Sequence, residues 1–142
     1  MPALLLLCLS IPSLGLLYML DEVGLPSSTS KVVGHQWYWS YEQSDISASS
    51  SDSYICSGPI RLLSTSSTLD VPPFIVLRFL ITSADVLHSW TVPACGIKAD
   101  AVPGRLNMLS NYLDRPGTFY GQCSEICGSN HSFIPIKICV IS

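Results

Sequence analysis

From Ala3 to Leu20 the chain reads ALLLLCLSIPSLGLLYML without one charged side chain, and the first charge in the protein is Asp21. As a helix this run would rise roughly 27 Å at about 1.5 Å per residue, close to the hydrocarbon thickness of about 30 Å. A transmembrane helix over residues 1–20 is therefore expected. A secretory signal would place a basic residue before the apolar core and small residues at a cleavage site after it. Here no Lys or Arg precedes the run, and it ends in Tyr-Met-Leu-Asp-Glu. Pro12 should kink the helix, which lipid tolerates where neighbours or waters satisfy the freed carbonyl. The absence of an N-terminal positive charge leaves the orientation open.

Beyond this run the composition still points away from an ordinary soluble surface. The 142 residues are 48% hydrophobic and only 12% charged, so part of the chain should lie in a lipid membrane or against a partner. Seven basic and ten acidic residues give a formal charge of -3, which supplies no polyanion-binding patch and excludes nucleic acid as a partner. Of six cysteines, Cys8, Cys56, Cys95 and Cys139 fall at spacings that form no motif. An even count alone is weak support for disulfides.

The segment 21–30 mixes charge, Gly, Pro and Ser and reads as a linker. The remainder, 31–142, is expected to form one all-β domain. VVGHQWYWSYE is β-branched and aromatic, with Trp37, Trp39 and Tyr41 on one face. The serine-rich stretch 44–57 reads as a loop or irregular edge, and IRLLS from Ile60 as a short strand. FIVLRFLIT from Phe74 reads as an inner strand with two largely apolar faces. TFYGQ and SFIPIKICVIS supply two more strands, with Ile134, Ile136, Ile138 and Val140 sharing a face. No stretch after Lys31 sustains a helical period.

The chemistry concentrates in YGQCSEICGSNHSF, where Cys123, Cys127 and His131 recur at four-residue steps. Two thiolates and an imidazole suit zinc, copper or an iron–sulfur centre. Structural zinc usually takes Cys-x2-Cys knuckles and iron–sulfur clusters want four thiolates or a two-plus-two set, and neither pattern is present. His88, in VLHSW after the long inner strand, is the natural further ligand, because a strand end completed by a tight loop holds a metal with little rearrangement.

VGHQWYWSYE, LITSADVLHSWTVP, GIKADAVPGRLN and RPGTFYGQCSEICGSNHSFIPI together resemble the corresponding blocks of the cytochrome c oxidase subunit 2 family. The resemblance implies a cupredoxin-like Greek-key β-barrel or sandwich preceded by one transmembrane helix, similar to the second of the family's two. It implies a binuclear copper A centre in which Cys123 and Cys127 bridge two coppers and His88 and His131 cap one each. Glu125 would offer its backbone carbonyl to copper and its carboxylate to a magnesium ion shared with subunit 1. The implied activity is that of a non-autonomous oxidase subunit, taking electrons from cytochrome c near Trp37 and passing them to haem in subunit 1. Glu42, Asp45 and Asp85 would form the docking surface for cytochrome c. The implied location is the mitochondrial inner membrane, multi-pass in the family, with the β domain facing the intermembrane space.

The chain also departs from the family pattern. It resembles a version truncated at both ends, region 44–73 is short and serine-rich, and Ala84 stands beside Asp85 where a second carboxylate is frequent. Ile134 occupies the usual methionine ligand position and has no lone pair to donate. The rival readings are a membrane-anchored β-sandwich with a mononuclear copper or zinc site, and a non-functional structural remnant.

Overall fold

The computed structural model describes residues 2–22, 24–43 and 49–141. Helix α1, Pro2–Asp21, contains Pro12, and its span Pro2–Leu20 is long and apolar enough to cross a membrane. The side chains of residues 2–20 are exposed, including Leu4, Ile11 and Leu17. A helix apolar on all sides with no protein packed on it has only lipid or another chain to bury it.

The described residues after it form ten strands: β1 Ser28–His35, β2 Tyr38–Gln43, β3 Ser49–Ser53, β4 Leu69–Val71, β5 Val76–Ser83, β6 His88–Val92, β7 Ile97–Ala101, β8 Asn107–Tyr112, β9 Gly117–Gln122 and β10 Pro135–Val140. They form a five-stranded sheet ordered β3-β2-β1-β5-β8, a three-stranded sheet ordered β4-β10-β9, and the hairpin β6-β7. β1 is parallel to β5 and antiparallel to β2. β10 is parallel to β4 and antiparallel to β9.

Among the described residues these ladders do not close into one barrel. The domain is mostly β, in separate sheets whose inner faces share a core, and it matches a cupredoxin-like architecture at that level. β1 and β5 alternate buried and half-buried residues along their whole length, as strands with one face on a core must. Leu77, Phe79 and Ile81 from β5 meet Trp90 and Val92 from β6 and Ile136, Ile138 and Val140 from β10. Phe79 and Trp90 pack with ring centroids 5.0 Å apart. Each fully buried aliphatic or aromatic side chain here contributes about 1.5–3 kcal/mol.

Three sequence expectations change. VVGHQWYWSYE is not one strand but the antiparallel pair β1 and β2, and Trp37 lies in the turn between them rather than on a strand face with Trp39 and Tyr41. Ile60–Ser64 is a tight turn rather than a strand: Leu63 and Ser64 both donate their N–H to the Ile60 carbonyl, and Leu62 has φ 66°. Ser49–Ser53, in the stretch read as a loop or irregular edge, pairs with β2 as an edge strand. The Gly/Pro-punctuated stretch after Ser83 contains the hairpin β6-β7 and strand β8, which alternation alone does not reveal because its runs are too short.

Candidate metal centre

His88 opens β6 and is fully buried. Its ring lies edge-on to Trp39, with centroids 5.7 Å apart, and passes directly over Gly34. A Cβ at position 34 would stand 2.9 Å from His88 Cδ2 and 3.0 Å from Trp39 Cζ3, so glycine is what lets the imidazole reach this depth. Asp85 Oδ1 lies 3.0 Å from His88 Nε2. With Nε2–H directed at the carboxylate, Nδ1 keeps its lone pair for a metal, and it faces the Cys123 sulfur at 3.9 Å.

Cys123 follows β9. Its N–H donates to the Ile134 carbonyl at 3.1 Å, and the next residue, Ser124, donates to the Ser89 carbonyl at 3.0 Å. The ligand loop is thereby laced to the residue that precedes β10 and to β6. Cys127 is also buried, and its sulfur lies 4.0 Å from that of Cys123. Burial works against ionising Cys123, but hydrogen bonds from His88, the Ser89 and Glu125 backbone and His131 outweigh it and bring the thiol down to about 7. Burial and the neighbouring Cys123 charge push Cys127 up. Burial opposes the charged form of His88 as well, while Cys123 and Asp85 outweigh it and raise its pKa.

One donor atom from each of His88, Cys123 and Cys127 lies within 4.8 Å of the other two. Donors to a single ion at bond lengths of about 2.0–2.3 Å can be no more than about 4.6 Å apart. At 4.8 Å this group comes within about 0.2 Å of the dimensions of one coordination sphere, and the donor set of two soft thiolates and an imidazole fits copper or zinc. That corrects the expectation of a binuclear copper A centre and of the electron relay built on it. Two ions sharing both sulfurs need an imidazole for each ion, and the gathered group contains one imidazole, that of His88. His131 Nδ1 approaches Cys127 at 3.6 Å and lies outside the group.

The expected magnesium site is corrected too. Glu125 is exposed, and among the described residues no second group of three metal-binding side chains gathers around it. Its carbonyl oxygen accepts from the Cys123 thiol at 3.4 Å. Ile134 is buried beneath the loop.

Trp37 is half-buried in the turn between β1 and β2, against Gly128. A Cβ at Gly128, which has φ 123°, would stand 3.2 Å from Trp37 Nε1, so the indole lies one residue from Cys127. Glu42 is exposed and ion-paired with Lys31 at 2.9 Å. Asp85 is turned toward His88, and Asp45 lies outside the described residues. Sequence reasoning missed Gly34 and Gln36. Their only signal is their place in VGHQW, beside the aromatic pair.

A thiolate–imidazole centre at one end of a mostly β domain, with an apolar helix before it, defines a membrane-anchored metalloprotein of cupredoxin-like architecture. The family description "Cytochrome C oxidase subunit II, periplasmic domain" matches residues 28–141. The chain belongs to the cytochrome c oxidase subunit II family. Cytochrome c oxidase subunit 2 of Drosophila melanogaster and of Drosophila narragansett are each 53% identical to it over 144 residues, covering 97% of this chain and 63% of theirs. The chain thus spans under two thirds of the length of these relatives. Among solved structures, the periplasmic domain of subunit II of cytochrome oxidase from Bradyrhizobium japonicum superposes with a TM-score of 0.80 at 43% identity, covering 84% of this chain and 88% of that one. The same subunit captured as a mixed disulfide intermediate with a thioredoxin-like protein gives 0.73 at 42% identity, covering 84% and 85%.

Proposed function

We propose that this chain is a membrane-anchored, single-copper electron-carrying domain of an oxidase complex, with His88, Cys123 and Cys127 holding the metal. The observation that carries the reading is the convergence within 4.8 Å of two thiol sulfurs from one loop and an imidazole from the start of β6. Copper bound there would supply one-electron redox chemistry without bond-making by the protein. The chain's own residues hold the donors still: Asp85 orients the His88 imidazole, the Ile134 carbonyl anchors Cys123, and the surrounding core keeps water from the sulfurs. The Glu125 carbonyl is the nearest oxygen available as a weak further donor, and His131 is the next imidazole in reach.

Family membership supports the partners: cytochrome c as donor, with Trp37 where electrons enter, and subunit 1 and the other oxidase subunits as neighbours. By the same reasoning the helix sits in the mitochondrial inner membrane with the β domain, in the family's Greek-key arrangement, on the intermembrane-space side. The test is metal content and electron paramagnetic resonance of the full chain in detergent after copper loading and desalting. One copper per chain with hyperfine structure from a single nucleus is expected. Two coppers per chain with a shared signal, or no retained copper, would overturn the reading; retained zinc in place of copper would assign the site to structure.

A further inference from the structure

Gln36 is exposed as a residue, yet both of its donors are directed into the metal centre. Its backbone N–H donates to Asp85 Oδ2 at 2.7 Å, the carboxylate whose other oxygen faces His88 Nε2 at 3.0 Å. Its side-chain Nε2 donates to the Cys127 carbonyl at 2.7 Å. These bonds reach 49 and 91 residues along the chain. They connect the turn between β1 and β2 to the turn before β6 and to the cysteine loop.

From this geometry we propose that Gln36 is a positioning residue that sets the separation of the His88 imidazole from the Cys127 sulfur. One of its donors engages the carboxylate that faces His88 and the other the Cys127 carbonyl. The Cys123 half of the loop is tied down by Ile134 and Ser89, whereas the Cys127 backbone carbonyl is held by the Gln36 amide. Asp85 keeps a further backbone donor, the Val86 N–H at 2.6 Å, so the imidazole side survives changes in the Gln36 side chain. The Cys127 side does not. Packing adds to the constraint, since a Cβ at Gly128 would stand 3.0 Å from Gln36 Nε2, leaving the loop little room except where the amide holds it. A metal site binds tightly when its donors are already at bonding separation, and outer contacts of this kind are typically worth about 10–100-fold in affinity.

The inference rests on the metal-site reading, and the test separates the two. The probe is cobalt(II) bound to the full chain in detergent, followed by its thiolate charge-transfer absorption and by its release to a chelator in stopped flow. Gln36→Met keeps the length and removes the donor. It is expected to release cobalt at least about 10-fold faster and to shift the charge-transfer band, with the thermal midpoint of the metal-free chain little changed. Gln36→Lys restores a donor and is expected to bring release back to within about threefold of the original. Wild-type release from Gln36→Met, or equally fast release from both variants, would overturn the positioning role. If Gln36→Met does not fold, Gln36→Glu, which carries an acceptor in place of the donor, is compared with Gln36→Lys to the same criterion. An unsubstituted chain that takes up no cobalt would defeat the metal-site reading and this inference with it.

Discussion

Gly34 shows how narrow the tolerances at the centre are. Substituting alanine there places a methyl 2.9 Å from the His88 ring, and the ring has nowhere to go, since Trp39 closes the same space. Gly34→Ala is expected to cost about 1–3 kcal/mol through overpacking and to weaken metal binding, because the clash falls on His88, a ligand. Denaturant midpoints and a competition titration on the same preparation check both effects; an unshifted metal affinity would mean the ring adapts. The thiols make a second expectation. In the metal-free chain Cys123 is depressed from an ordinary 9.0 to about 7, so its contribution to stability is complete above about 9 and is lost as pH falls through about 7. Cys127 is raised from 9.0 to about 12, so its contribution is present below about 9 and is lost as pH climbs toward 12. Urea midpoints between pH 6 and 10 in the presence of a chelator test these signs, a rise above pH 7 being expected from Cys123 and a fall above pH 9 from Cys127. A midpoint that declines steadily from pH 7 upward would show that the Cys123 thiolate is not favoured by folding.

Among the elements, α1 and β10 illustrate two uses of apolar sequence. Ile136, Ile138 and Val140 are buried on one face of β10, and that strand is central to its sheet, so its apolar pattern is satisfied inside the protein. The pattern of α1 is not: Ile11, near its middle, is 67% exposed. Ile11→Arg is therefore expected to leave the β domain folded while opposing membrane insertion by about 2.5–3.5 kcal/mol. Alkaline carbonate extraction of membranes should retain the unsubstituted chain in the pellet and release the variant. Retention of both would show that another surface anchors the protein.

For the whole molecule, the placement of the acidic side chains bears on how a basic electron donor would approach. Glu42 is already neutralised by Lys31 and Asp85 is committed to His88 and Gln36, so neither is a free steering charge. Under the proposed function, the rate of association with reduced cytochrome c is expected to fall less than about 10-fold as the Debye length shrinks from about 30 to 8 Å. Stopped-flow mixing of the copper-loaded chain with the donor across that salt range measures it, and a steeper decline would mean that free carboxylates elsewhere on the face do the steering. The apolar side chains of Tyr54 and Phe133 are exposed near Trp37, consistent with an approach that relies less on charge.

What could be read without coordinates is what depends on local pattern. A charge-free run long enough for a bilayer, strands with alternating faces such as Val76–Ser83, and soft ligands spaced at four residues all carry their signal in neighbouring positions. The turn at Ile60–Ser64 escaped because its apolar residues mimic a strand while its hydrogen bonds fold back on Ile60. The gathering of His88 with the cysteines, the absence among the described residues of a gathered oxygen site at Glu125, and the parts played by Gly34 and Gln36 depend on distances between segments 35 to 91 residues apart. Spacing along the chain states which donors exist. Only the packing of β1, β6 and the cysteine loop against one another decides which of them come within a single ion's reach, because that reach is a few ångströms and is set by side chains from strands that sequence order does not place together.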